Sequence, residues 1–231
     1  MDLQKAFREA SDELGVPEPL AEFHSYSELK HVWRKERGRL RFGISDYLDT
    51  APNEVLRSLA HHLLCKVYGM KADGDTEGRY LEYAGSKSLW ERKRAEYLQR
   101  ARTLSVKPQG EHRDLRTVFE YVNSFYFSGR LHDLTLAWSD ESPGQRLGFF
   151  FEPIGLLAVN KVLDSERVPR YVLEFVVYHE LLHYVNPANG ARLRRVHHTS
   201  EFKRQERLFS HYDDSERWLR TLVHEHRRKR R

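Results

Sequence analysis

Cys65 is the one cysteine in a chain of 231 residues. A lone thiol excludes an internal disulfide and any metal site built on clustered thiolates, so metal chemistry here has to use histidine and carboxylate side chains. Long apolar runs are lacking as well. None approaches the roughly 20 residues of a membrane-spanning helix, so no membrane partner is expected. The opening residues MDLQKAFREASDEL lack the basic-then-apolar layout of a secretory signal. A soluble, cytoplasmic protein is the expectation.

What is present suffices for a folded molecule. The length accommodates one large domain or two small ones, and a hydrophobic content of 39% supplies a core. The formal net charge is +5, with part of the excess in Arg227, Arg228, Lys229, Arg230 and Arg231. Residues 227–231 are expected to form a solvated basic tail, able to touch nucleic acid or an acidic partner.

Between Leu115 and Tyr126, Leu115, Val118, Phe119, Val122, Phe125 and Tyr126 recur at three- and four-residue steps, the period of one helical face. Three short runs of strand character follow: Leu134 to Trp138, Arg146 to Phe151 and Leu156 to Val159. Pro143-Gly144 and Pro153 to Gly155 separate them, so a small antiparallel or mixed sheet is expected. Pro169 suits a first helical position, and Tyr171 to Val185 is apolar nearly all round, as a helix buried in a domain centre is. Pro187, Asn189 and Gly190 end it, and helical patterns return at Ser200 to Phe209 and Ser215 to His226. Trp33, Trp90, Trp138 and Trp218 are read as packing groups rather than base-stacking platforms.

The first half carries helical patterns at Leu3 to Leu14 and Trp90 to Arg102 and a break at Asp73 to Gly78; a linker at Lys107 to Gly110 divides the chain. One pattern in this half repeats later. Leu48-Asp49, Pro52, Val55, Leu56, Leu59 and His62 echo Leu163-Asp164, Pro169, Val172, Leu173, Val176 and His179, allowing a two-residue gap. The positions corresponding to Glu180 and His183 are Leu63 and Lys66, which lack the carboxylate and the imidazole. Residues 1–108 therefore read as a degenerate, non-catalytic copy of the strand-helix unit in the second half.

The chemistry centres on His179-Glu180-Leu181-Leu182-His183. Residues four apart on a helix stand one above the other, so both imidazoles can share a metal. Glu180 lies about 100° around the axis, from where a carboxylate reaches a metal-activated water without replacing it. In a chain with 13 histidines the pattern alone is weak, but its apolar helix makes it informative. Two histidines and a glutamate are costly to bury there without partners or a metal. Catalytic zinc takes three protein ligands and keeps one position open. His197, His198 and Glu201 are the downstream candidates for the third, and spacing does not choose among them.

At this point the chain resembles the SprT-like zinc metallopeptidases, which include the Spartan proteases that degrade proteins crosslinked to DNA. The likeness covers about residues 112–209. It rests on Phe119-Glu120-Tyr121-Val122-Asn123 with Tyr126-Phe127 and Gly129-Arg130-Leu131, on Leu136-Ala137-Trp138-Ser139 and Leu147-Gly148, and on Leu156 to Asn160. The HELLH and His198-Thr199-Ser200-Glu201-Phe202 complete it. The resemblance implies an α+β, zincin-like domain over residues 109–226. It also implies that His198, four residues before a phenylalanine, is the third zinc ligand beside His179 and His183. Two departures stand out: no cysteine after residue 65 can build the zinc ribbon many relatives carry, and the likeness leaves residues 1–108 uncovered.

The expected function is then hydrolysis of peptide bonds through a zinc-activated water, with Glu180 as general base. Protein or peptide is the expected substrate, with DNA-associated proteins a candidate class. The alternative is a zinc-bearing binding module, DNA-associated, with little or gated proteolysis. Tyr212, Tyr184 and His197 are candidates for stabilising the oxyanion. Arg192, Arg194 and Arg195 are candidates for drawing acidic protein or nucleic-acid phosphate to the cleft. The strand Leu156 to Asn160 is expected to form the cleft edge and to hold substrate by strand addition.

Overall fold

Leu3, Ala6, Phe7 and Ala10 fall on one face of Leu3–Leu14, and burying that face makes the segment helix α1. The Asp2 carboxylate caps it by accepting from the Lys5 N–H at 3.0 Å, and Gly15, at φ 63°, closes it in the left-handed conformation that glycine tolerates. The computed structural model describes residues 2–71, 74–140, 146–186 and 198–228. The fold is mixed α+β, and the chain divides between Ala101 and Arg102 into two compact units.

In the first unit α1 is followed by β1 (Leu20–His24), β2 (His31–Glu36) and β3 (Arg39–Ser45), then a 3₁₀ turn (Asp46–Leu48) and α2 (Asn53–Tyr68). Helices α3 (Gly74–Ala84) and α4 (Lys87–Arg100) complete it. Strand β3 is central, parallel to β1 and antiparallel to β2. Phe7, Phe42, Ile44, Leu56, Leu59 and Leu64 form the core, each at most 2% exposed.

The second unit opens with β4 (Leu104–Ser105), then α5 (Leu115–Phe127), β5 (Thr135–Ser139), β6 (Gly148–Phe151), a 3₁₀ turn (Glu152–Ile154) and β7 (Leu156–Asn160). A second 3₁₀ turn (Lys161–Leu163) leads into α6 (Arg170–Val185), and α7 (Ser200–Glu206) and α8 (Tyr212–Arg228) follow. The sheet order is β4-β5-β7-β6, with β7 parallel to β5 and antiparallel to β6. Helix α6 runs through the core with Val172, Leu173, Val177 and Leu181 fully buried, and α5, the sheet, α7 and α8 pack around it.

The two units repeat one order of elements. A helix leads into a strand, an edge strand, a central strand, a 3₁₀ turn and a 16-residue helix whose N-cap is proline, Pro52 in α2 and Pro169 in α6. The pairing repeats with it: Leu20↔Arg41 through His24↔Ser45 matches Thr135↔Leu156 through Ser139↔Asn160. By the same registers His31, opposite Ile44, corresponds to Gly148, opposite Val159. Counting ten residues on from each proline sets His62 against His179.

Several expectations change. Leu156–Asn160 is not the cleft edge: β7 pairs with β5 on one side and β6 on the other, and all five of its residues are buried. The edge beside α6 is β6. Gly74 and Gly78 do not break the chain but lie within α3, where burial of Tyr80 and Ala84 outweighs the roughly 1 kcal/mol that a helical glycine costs. Residues 107–110 form an anchored loop inside the second unit, because β4 has already paired with β5. The Asp164 carboxylate accepts from the N–H groups of Glu111, His112 and Arg113, and Pro108 O accepts from Trp138 Nε1 at 3.0 Å. Trp90 and Trp138 are buried and Trp218 packs on the core, but Trp33 is half exposed on edge strand β2. Pro169 is the N-cap rather than a first helical residue. Helix α8 runs into the expected tail as far as Arg228; residues 229–231 lie outside the described residues, as do Pro143-Gly144 and the helix stop at Pro187 to Gly190. Among the described residues no helix is long and apolar enough to cross a membrane.

Candidate metal centre

Helix α6 presents His179 and His183 one turn apart, with ring centroids 5.0 Å from each other. The third imidazole arrives from the next element. Thr199 caps α7, its Oγ1 accepting from the Phe202 N–H at 3.1 Å, and the residue before that cap is His198. The cap turns the chain so that the His198 ring lies 4.9 Å from His179 and 5.2 Å from His183. Phe202, one turn into α7, lies against all three rings at 5.3, 4.6 and 4.5 Å. Two bonds tie α7 to α6: Tyr178 Oη donates to Gln205 O at 2.6 Å, and Asn186 Nδ2 to Gln205 Oε1 at 2.7 Å.

One nitrogen from each of the three histidines lies within 4.8 Å of the other two. His183 Nε2 and His198 Nε2 are 3.4 Å apart, long for a hydrogen bond. Two nitrogens bound to one metal ion at about 2.05 Å in tetrahedral geometry stand about 3.3 Å apart, so the spacing of this pair is compatible with a shared ion. His183 Nδ1 is buried without a partner among the described residues. Burial, then the neighbouring His179 and His198, lowers the His183 pKa to about 4; burial and His179 also lower that of His198. Both are thus neutral near pH 7, the form that offers a lone pair to a metal. Burial also opposes charge on His179, but the hydrogen bond to Glu206 and the charge of Glu180 outweigh it and raise that pKa.

Glu180 is buried on α6 beside β6. A Cβ on Gly148 would lie 2.8 Å from its Oε1, so the strand approaches the carboxylate this closely because that position is glycine. Burial raises the Glu180 pKa to about 7 against the opposing pull of His179, Arg146 and the Phe150 N–H, which hydrogen-bonds the carboxylate. A carboxyl that titrates near neutrality, beside a metal-sized cluster of imidazoles, is equipped to take up and release a proton.

His179, His183 and His198 are therefore brought together, with the Glu180 carboxylate close enough to His179 for their charges to interact. Glu201 is turned away, with its carboxylate bonded to Arg204 at 2.7 and 2.9 Å and to Gln205 at 2.8 Å. His197, Arg192, Arg194 and Arg195 lie outside the described residues. Tyr212 packs on Phe175 with ring centroids 5.7 Å apart, and Tyr184 packs edge-on against Phe150 of β6 at 5.4 Å. Sequence reasoning missed Glu206 and the role of Gly148. Glu206 Oε1 lies 2.6 Å from His179 Nδ1 across 27 residues of chain, a contact that no local spacing announces.

No family model, no curated protein and no solved structure matches this chain.

Proposed function

We propose that the chain is a zinc metallopeptidase of the HExxH type, with His179, His183 and His198 holding the metal and Glu180 as general base. The observation that carries this reading is the convergence of three imidazole nitrogens, two of them from the helix that also carries the buried Glu180 carboxylate. The resemblance of residues 112–209 to the SprT-like family supports it and suggests a zincin-like second unit. Zinc would supply Lewis-acid activation of water and of a scissile carbonyl near neutral pH. The protein's own part begins with Glu180, which takes the proton of the attacking water and passes it to the leaving amine. Gly148 and the Phe150 N–H hold that carboxylate in place. Edge strand β6 offers an extended polypeptide a line of backbone partners beside Glu180, a mode of binding largely blind to side chains.

The test is to incubate the zinc-loaded full chain with an unfolded protein, free and crosslinked to DNA. Cleavage is expected, and Glu180→Gln should keep zinc and cleave about 10²- to 10⁴-fold more slowly. Cleavage confined to the crosslinked substrate would assign the DNA-associated class that the resemblance suggests. Zinc uptake with no cleavage by wild type replaces this reading with that of a zinc-bearing binding module, and Glu180→Gln within a few-fold of wild type removes the base from its role.

A further inference from the structure

A neutral imidazole carries one N–H and one lone pair, and the group met by one nitrogen decides which nitrogen is left for a metal. The three histidines of the centre differ in this respect. His198 is exposed, and His183 Nδ1 is buried without a partner among the described residues. His179 Nδ1, by contrast, meets the Glu206 carboxylate at 2.6 Å, and the side chains of this pair are only 22% and 12% accessible.

Glu206 is held there by its own helix. It closes α7, one turn after Phe202, and its neighbour Gln205 is fastened to α6 twice, through Tyr178 and Asn186. The carboxylate is thus set in position by contacts independent of the imidazole. The same seven-residue helix supplies the apolar floor, Phe202, that stacks on His183 and His198. From this geometry we infer that Glu206 is a positioning residue: it accepts the Nδ1–H of His179 and so presents Nε2, in a fixed ring orientation, to the metal. The inference rests on the reading of the triad as a metal centre. Carboxylate partners of this kind orient the ring and raise its basicity, and losing one typically weakens metal binding by about 10- to 100-fold.

The experiment measures zinc affinity of the full chain by competition with a chromophoric chelator, for wild type, Glu206→Ala and Glu206→Gln. Glu206→Ala should bind about 10- to 100-fold more weakly, and the uncharged but isosteric Glu206→Gln should weaken binding toward the lower end of that range. A second readout separates positioning from mere structure: imidazole nitrogen NMR of the zinc-free protein at mildly alkaline pH. There His179 should carry its proton on Nδ1 in wild type and shift toward Nε2 in Glu206→Ala, while a purely structural glutamate would leave the tautomer unmoved. If Glu206→Ala does not fold, Glu206→Gln decides by its affinity. Wild type binding one zinc through the triad, with both variants equally tight or the tautomer unchanged, would overturn the role of Glu206 and leave the centre standing. A wild type that takes up no zinc would overturn the centre itself, and this inference with it.

Discussion

Helices α2 and α6 start from the same residue type, run for the same length and bury equivalent apolar positions, Val55, Leu56 and Leu59 in one and Val172, Leu173 and Val176 in the other. They diverge at the positions of the candidate centre. Glu180 is matched by Leu63, His183 by Lys66 and Gly148 by His31; only His179 finds a histidine, His62, in its counterpart. In the first unit the corresponding region packs on Tyr80. His31 Nε2 lies 2.7 Å from Tyr80 Oη, and the Tyr80 ring also packs near His62, with centroids 6.1 Å apart. The Lys66 ammonium adds a positive charge where a cation would need a ligand. Helix and sheet are specified by apolar burial common to both units, and the centre by a few residues that the framework can exchange.

Transplanting residues between the units is the strongest way to break this comparison. Glu180→Leu, which gives the second unit the residue of the first, should lower turnover by at least the 10²- to 10⁴-fold worth of a positioned base while zinc is retained. Leu63→Glu should create no activity in a chain that also carries Glu180→Leu. Peptide hydrolysis with zinc analysis on each variant checks both, and activity restored by Leu63→Glu would mean that the units are interchangeable.

A smaller effect is expected at Gly148. Gly148→Ala puts a methyl group 2.8 Å from Glu180 Oε1, and the flexible end of that side chain is what gives way. A base displaced by about 1 Å can cost about 10²-fold in rate, so kcat should fall toward that extent with folding and zinc content kept. An unchanged kcat would show that the close approach of β6 does not set the position of the carboxylate.

The smallest expected effect concerns stability and belongs to the first unit. Burial, then the charges of His62 and Lys66 on α2, lowers the His31 pKa from its ordinary 6.5 to about 4, and Tyr80 on α3 also faces its ring. The unfolded chain therefore binds a proton here between pH 6.5 and 4 that the folded chain does not, so stability is full above that window and is lost as pH falls through it. The loss is at most about 3 kcal/mol. Denaturant unfolding of the zinc-free protein at pH 7 and pH 4.5 should show a smaller difference for His31→Gln than for wild type. Equal differences would mean that His31 does not carry this pH dependence.

The sequence disclosed the centre better than its surroundings. The periodicity of α5 and α6 and the i,i+4 histidines are local signals, and the three histidines singled out lie close together. Strand β2 went unnoticed because four of its residues, Val32 to Lys35, are exposed, so no alternation of apolar and polar residues marks it. The wholly apolar stretch from Leu156 to Val159 is the pattern of a strand covered on both sides, which is why β7 proves to be internal. Glu206 was beyond reach, since its contact with His179 depends on how α7 docks on α6.

Metal content of the purified full chain tests the central claim most directly, measured for wild type, His183→Ala and His62→Ala. One zinc per chain is predicted for wild type and for His62→Ala, with loss of it in His183→Ala. No zinc in wild type, two per chain, or loss in His62→Ala with retention in His183→Ala would contradict the account.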